Sequence, residues 1–377
     1  MLHDHLYSKA LDLSPLNVEE AMSIYESAPL EELMFVAGKI RQIHNPGIKV
    51  GWMIDRNVNI TNICFSHCAF CNFCRKKDSP DAYTTTLEQY KSKIDELYRL
   101  GGDQLLLQGG MNPDLGLDFY CSLFIKLKEL YPSLKLHALG PPEIVFLAKK
   151  EKMTFTGVLT SLIDSGLDSL PGAGAEILSD RVKGILSPAK ATSGEWLEVM
   201  RIAHRLNLPT SATMMYGHIE TVRERIEHLV KLRELQDEKP ENHYGFITFI
   251  PWPFQDEGTH LKIKDGISSR YNPPDYLRLI AVSRIMLTNI PNIQASILTV
   301  GKQTGMLSLH SGANDLGSIM IEENVVSSAG SNNRFDTENL IGIIKEAGFE
   351  PLRRNQKYEP YTDTASPGPR PDKPLNG

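Results

Sequence analysis

The chain has 377 residues, 41% hydrophobic and 23% charged, close to the averages of a folded globular chain and long enough to bury a large core without disulfide staples. Forty Lys and Arg against 46 Asp and Glu leave a formal net charge of −6, which argues against a protein that grips a phosphate backbone. No run approaches the roughly 18 uninterrupted apolar residues of a membrane span. Asp4 and Asp12 stand where a signal peptide would need an apolar core. The expectation is a cytoplasmic protein with neither nucleic-acid nor membrane partners.

Residues 1–50 read as a helical lead-in. Leu16 to Ile24 and Glu31 to Ile43 carry helical periodicity on either side of Pro29, and Pro46-Gly47 closes the segment. From about residue 50 onward, short β-rich runs alternate with longer stretches of helical period. The first strand is expected over Trp52–Thr61, followed by a helix over Leu87–Leu100 that stops at Gly101-Gly102. Strand Gln104–Gln108 precedes helix Asp118–Leu130. Strand Leu134–Ala138 leads into helical segments Glu143–Lys149 and Leu159–Ser165. A short strand near Leu167–Ser169 comes before a glycine-rich loop and helix Gly194–Leu206. Strand Thr210–Met214 with helix Val222–Gln236, and strand Phe246–Phe249 with helix Asp275–Leu287, continue the pattern. Strand Ile293–Ile297 is the seventh. The eighth is expected over Ser308–Asp315, with helix Asp336–Ala347 after an intervening Met320–Ser327 stretch.

About eight βα pairs predict an α/β chain closed as a (βα)8 TIM-type barrel over residues 51–360. The rival, an open doubly wound sheet, would show Gly-x-Gly-x-x-Gly after the first strand, and this chain does not. Residues 361–377 hold four prolines and almost no large apolar side chain, so a disordered tail is expected there.

The chemistry is concentrated in Cys64-Phe-Ser-His-Cys68-Ala-Phe-Cys71-Asn-Phe-Cys74, four of the five cysteines within eleven residues at the end of the first strand. In a cytosolic chain that density means metal or redox chemistry more often than disulfides. A structural zinc site draws on two separated ligand pairs, and only Cys121, on a helix, lies elsewhere. Thiolates crowded on one loop suit an iron–sulfur cluster better. Two ligand sets remain open at this point. Cys68, Cys71 and Cys74 give C-x2-C-x2-C, the start of a ferredoxin run, whereas Cys64, Cys68 and Cys71 give C-x3-C-x2-C with Phe70 before the last ligand. The first set would suit an electron carrier without catalysis.

The second spacing resembles that of the radical S-adenosylmethionine (SAM) superfamily. The resemblance implies a 4Fe–4S cluster held by Cys64, Cys68 and Cys71, with SAM on the open iron, and an external electron donor such as flavodoxin or ferredoxin. It also implies that Gly109-Gly110, after the second strand, binds the methionine part of SAM through backbone groups, with Phe70 beside the cofactor. Further stretches extend the likeness. They are Asp55-Arg56-Asn57-Val58-Asn59, Gln108-Gly-Gly-Met-Asn-Pro-Asp114, His137-Ala-Leu-Gly-Pro-Pro-Glu143, Pro171-Gly-Ala-Gly-Ala-Glu176, Thr213-Met-Met-Tyr-Gly-His218 and Phe249-Ile-Pro-Trp-Pro-Phe254. In that order they look like the menaquinone-pathway group of the superfamily, over about residues 35 to 355. The implied small-molecule substrate is dehypoxanthine futalosine, with hydrogen abstracted from the ribose C4′ and ring closure on the benzoate. A related chemistry, addition of the adenosyl radical to an enolpyruvyl benzoate as in aminofutalosine synthesis, is the alternative.

Other polar residues stand beside these motifs. Asp55, Asn57 and Asn59 share one strand face where a packed barrel would prefer Val or Ile, so they read as lining a pocket. Their bland alternative is an Asp55–Arg56 pair with amides closing the barrel bottom. Glu176 is a candidate to hold the SAM ribose, or else a helix-start carboxylate. His137 and His218 follow strands and are candidates for the base that takes the ring proton. Glu322 and Glu323 read as an exposed acidic face, and Cys74 and Cys121 as bystanders.

Overall fold

The computed structural model describes residues 3–322, 324, 327–330 and 333–361. Three helices open the chain: α1 (Asp4–Leu11), α2 (Val18–Ser27) and α3 (Leu30–His44). Then follow β1 (Lys49–Met53), β2 (Asp55–Asn59), α4 (Leu87–Arg99), β3 (Gln104–Gln108), α5 (Leu117–Leu130), β4 (Lys135–Ala138), α6 (Pro141–Glu151) and α7 (Phe155–Asp164). The middle of the chain supplies α8 (Asp180–Leu186), α9 (Ser193–Arg205), β5 (Thr210–Tyr216), α10 (Val222–Asp237), β6 (Phe246–Pro253), α11 (His260–Asp265) and α12 (Pro273–Met286). The last elements are β7 (Asn292–Ile293), α13 (Ile297–His310), β8 (Asp315–Ser318), α14 (Thr337–Glu346) and β9 (Glu350–Arg353).

Local chemistry sets many of these starts. Asn17 with Glu20, Thr86 with Gln89, Thr192 with Glu195 and Thr221 with Glu224 form reciprocal capping boxes at α2, α4, α9 and α10. Each satisfies two backbone donors that a helix start otherwise leaves open. No helix among the described residues is long and apolar enough to cross a membrane.

The strands form three parallel three-stranded sheets, ordered β8-β1-β9, β2-β3-β4 and β5-β6-β7. Single bridges join their edges: His137 to Ser169, Leu170 to Thr210, and Gln294 to Asp315. Beyond β8, the amides of Ile319 and Ile321 donate to Met53 and Asp55. The arrangement is TIM-barrel-like, but the ladder is interrupted, so an unbroken closed sheet is not what the hydrogen bonds describe.

The expected first strand divides at Ile54 into β1 and β2, because β1 pairs with β8 and β9 whereas β2 pairs with β3. The expected fourth strand is only the two bridges at Ser169 and Leu170, cut short by Pro171. The expected eighth strand over Ser308–Asp315 is a correction. Ser308 to His310 finish α13, Ser308 Oγ bonds back to Thr304 O, and the strand begins only at Asp315. The expected seventh strand likewise ends early, since Ile297 opens α13. Strand β9 had no sequence signal, since it is half-buried and contains Pro351. The tail 362–377 and Glu323 lie outside the described residues.

Alternation divides β2 and β3 into two faces. Leu105 and Leu107 are fully buried toward the helices, in one core with Ile94 and Phe124. A leucine so buried contributes about 1.5–3 kcal/mol. Asp55, Asn57 and Asn59 face the other way, in register with Gln104, Leu106 and Gln108. The layer continues from Leu106 to His137 and Ser169.

Candidate active site

The cysteine loop leaves β2 across the ends of neighbouring strands and is pinned on three sides. Phe65 N donates to Met111 O at 3.2 Å, Ala69 N to Leu186 O at 2.8 Å, and Leu261 N to Ala69 O at 2.9 Å. Cys71 N turns back on Cys68 O at 3.1 Å, which gathers the second and third cysteines. Gly109-Gly110 crosses directly beneath. Gly110 N donates to Thr61 O at 2.7 Å. A Cβ on Gly110 would collide with Ile63 O and lie 2.9 Å from Cys64 Cβ. Only glycine lets the β3 loop approach the cysteine loop this closely.

All five cysteines are free thiols. A hydrogen bond from Cys74 holds the Cys64 thiol down at about 5, against the effect of burial. Burial pushes the Cys68 thiol up, while Lys190 opposes it. Cys74 Sγ lies 3.2 Å from Cys64 O and 3.3 Å from His67 Nδ1, beside the loop's first cysteine. Cys121 is remote, its Sγ 3.6 Å from Ser161 O between α5 and α7. Among the described residues no three His, Cys, Asp or Glu side chains converge as ligands of one metal ion.

Charged groups surround this loop: Glu176, a sequence candidate, with Lys190 and Glu143, which were not. Lys190, 19% exposed, pairs with Glu176 Oε1 at 3.2 Å and sits 5.4 Å from the centre of the Phe70 ring. Burial opposes its charge, yet Cys68, Glu176 and Glu143 keep the ammonium protonated well above the usual range. Glu176, in left-handed backbone at φ 41°, stays below the usual carboxylate value despite burial because Lys190 and Lys183 face it. Burial pushes Glu143 up to about 7, and its Oε2 has no partner. A cavity of about 370 Å³ lies alongside, lined by Phe65, Met111, Val145, Phe146 and Lys190 among others. Glu143 stood in a quoted motif; Lys190 carried no sequence signal, being a lone lysine in an irregular segment.

The other expected residues separate. His137 is buried in the inner layer, with Nδ1 2.7 Å from Ser169 Oγ and Nε2 at a long 3.5 Å from Gln356 Nε2. His218 is enclosed, Nε2 2.9 Å from Met215 O and Nδ1 accepting from Ile219 N at 2.8 Å, with Glu220 beside it. Arg56 points outward rather than pairing with Asp55. It bonds Glu96 on α4 and Glu322, and Lys93 joins the same Glu322 carboxylate. Glu322 is therefore paired and not part of a solvated acidic face.

The thiols fit an iron–sulfur cluster: three cysteines free on one loop, a lysine ammonium facing two of them, and a glycine crossing where a side chain would intrude. A loop of this kind at the strand ends of a TIM-barrel-like fold stands where barrel enzymes carry out their chemistry. Comparison with known proteins agrees. Residues 58–232 match the model of the radical SAM superfamily, and residues 243–366 match the CofH/MqnC C-terminal region. The chain is 40% identical to cyclic dehypoxanthine futalosine synthase of Streptomyces coelicolor, over 90% of this chain and 84% of that one. It is 38% identical to the protein of that name from Halalkalibacterium halodurans, over 94% of each. A Methanopyrus kandleri protein named 5-amino-6-(D-ribitylamino)uracil–L-tyrosine 4-hydroxyphenyl transferase is 37% identical, over 83% of this chain and 85% of that one. The fold resembles methylornithine synthase, with a TM-score of 0.69 at 19% identity over 92% of this chain and 97% of the other. The chain is an enzyme of the radical SAM superfamily, in the branch that carries the CofH/MqnC C-terminal region. The chemistry of that superfamily uses a 4Fe–4S cluster and SAM.

Proposed function

We propose that this enzyme converts dehypoxanthine futalosine to its cyclic form, the reaction that names its two bacterial relatives, within menaquinone biosynthesis. The observation that carries this reading is identity of 40% and 38% to those relatives over nearly the whole chain. In this reading the three sheets are arcs of one (βα)8 barrel, and the enzyme works in the cytoplasm with a flavodoxin- or ferredoxin-type reductant.

When bound, the cluster and SAM supply a 5′-deoxyadenosyl radical. Cys64, Cys68 and Cys71 would hold the cluster; Phe70, Gly109, Gly110 and Glu176 would hold SAM, with Lys190 fixing the Glu176 carboxylate. The interior supports an aromatic substrate with a sugar attached. Thr213 is level with Ile250 and Met215 with Trp252 on β5 and β6, opposite in character to the amides of β2. Loss of a hydrogen atom from the sugar, then of a proton and an electron from the ring, makes the product two hydrogens lighter, with SAM, cleaved to methionine and 5′-deoxyadenosine, as the net two-electron oxidant. Of the two candidate histidines only His137 keeps a ring nitrogen without a short contact, Nε2 meeting the long one from Gln356, but burial holds it down at about 3, so it would be a weak acceptor of the ring proton. His218 has both ring nitrogens engaged and in this reading shapes the β5 end.

The test is anaerobic turnover of cluster-reconstituted enzyme with SAM, reductant and dehypoxanthine futalosine, followed by mass spectrometry. A product two hydrogens lighter, formed with 5′-deoxyadenosine, is expected. No such product from an enzyme with an intact cluster overturns the reading. The second reading, transfer of a 4-hydroxyphenyl group to 5-amino-6-(D-ribitylamino)uracil, is favoured by 37% and 39% identity to archaeal relatives of that name. Tyrosine with the ribitylamino-uracil, supplied in parallel, separates the two. Addition to enolpyruvyl benzoate is the third assay.

A further inference from the structure

Asp55, Asn57 and Asn59 are 5%, 3% and 2% exposed, and each has a polar atom without a partner: Asp55 Oδ1, Asn57 Oδ1 and Asn59 Nδ2. An unpartnered buried polar atom costs about 1–3 kcal/mol, so three on one strand face need an explanation. Packing does not supply it. Leu106 and Ile250 in mid-strand, and Gln108 and Trp252 toward the ends of β3 and β6, stay partly exposed. The interior therefore keeps open surface near this row, while the three unpartnered atoms themselves are closed to solvent in the free protein.

The three groups are held in place by their other bonds. Ser318 and Gln104 bond the Asp55 carboxylate, leaving Oδ1. Asn324 Nδ2 donates to Asn59 Oδ1 at 3.0 Å, which leaves Nδ2 as the open group of that side chain. Residues i and i+2 on a strand face stand about 7 Å apart, so the row offers two acceptors and a donor spread over about 13 Å. A hydroxyl both donates and accepts, so one polyol can meet all three, including an Asp55 carboxyl that burial pushes toward its neutral form.

We propose that the inward face of β2 is a sugar-reading wall, on which Asp55, Asn57 and Asn59 bind the hydroxyls of the substrate's pentose and keep its benzoate turned toward Met215, Ile250 and Trp252. This rests on the reading above, that the substrate joins a pentose to an aromatic acid.

The experiment uses reconstituted full-length enzyme and the variants Asn57→Leu, Asn59→Leu and Asp55→Asn. Dehypoxanthine futalosine is titrated by calorimetry, with SAM affinity, thermal midpoint and the ratio of 5′-deoxyadenosine to product measured alongside. Each leucine variant should bind the futalosine about tenfold more weakly, the worth of one lost hydrogen bond. SAM affinity should be unchanged, the thermal midpoint should not fall, and more SAM should be cleaved per product. Unchanged futalosine affinity in both leucine variants overturns the wall, and so does a lower midpoint with unchanged affinity, which would mean water-satisfied structural groups. If the wild type binds no futalosine, the substrate reading fails instead. The same variants are then titrated with the ribitylamino-uracil of the second reading, where a tenfold loss sustains the wall and no loss overturns it.

Discussion

The interior floor and the wall above it are built from the same kinds of residue and treat them oppositely. At the floor, Arg354 meets Asp315 through Nε at 2.6 Å and Nη2 at 2.8 Å, and its guanidinium stacks 3.8 Å from the centre of the Tyr358 ring. Tyr358 in turn donates to Thr248 Oγ1 at 2.9 Å. Along the wall and mouth, Asp55, Asn57, Asn59 and Glu143 each keep an unpartnered atom. Buried charge with every partner present ties chain segments together, here β8, β6 and the stretch after β9. Buried polar groups left open are costly in the free protein and make sense where a ligand completes them.

The largest effect expected at the mouth is from Cys64→Ala, which should lose iron, inorganic sulfide and turnover together, while Cys74→Ala keeps all three. Iron and sulfide analysis decides this, and loss of iron from the Cys74 variant would move the ligand set to Cys68, Cys71 and Cys74. The largest effect at the floor is from Arg354→Met. It strands Asp315 in the interior and should cost about 3–5 kcal/mol, read as a lower urea midpoint. If that variant unfolds no earlier than wild type, the floor is not the paired network described.

A smaller effect concerns pH. Burial holds His137, His204 and His228 down at about 3. The unfolded chain takes up these protons near pH 6.5, so their stability contribution is complete above that value and is lost as the pH falls toward 3. Urea midpoints between about pH 6 and 4 should fall with acid, and His204→Asn should make that slope shallower; an unchanged slope would refute a buried neutral His204. The smallest effect is from Thr221→Ala, at the start of α10. It removes one side of the α10 capping box and should cost about 1 kcal/mol with no change in SAM affinity.

Much of the frame was legible in the residues. Capping residues and apolar periodicity placed the helices after β2, β3 and β5 to within a few positions, because those signals act within one turn of chain. Strand eight was misplaced because Ser308 to His310 alternate like a strand, yet Leu309 serves the buried face of α13. Strand β9 was invisible because its pairing with β1 joins residues about 300 positions apart, and its own pattern is weak. At the site, the crowding of cysteines on one loop was legible as metal or redox chemistry, while the choice of Cys64, Cys68 and Cys71 and the role of Gly109-Gly110 came from the family resemblance. Lys190 was not legible, since nothing local distinguishes a lysine bound for a carboxylate and two thiols from one bound for solvent.

By itself the sequence determined the βα rhythm, the cysteine loop and which face of β2 is polar, because each depends on neighbours a few residues apart. Only the tertiary structure decided which polar groups are satisfied. It paired Arg56 outward with Glu96 and Glu322, saturated His218, and left Asn57 and Glu143 open. A hydrogen bond or an ion pair is a matter of a few ångströms in space, and separation along the chain carries no record of it.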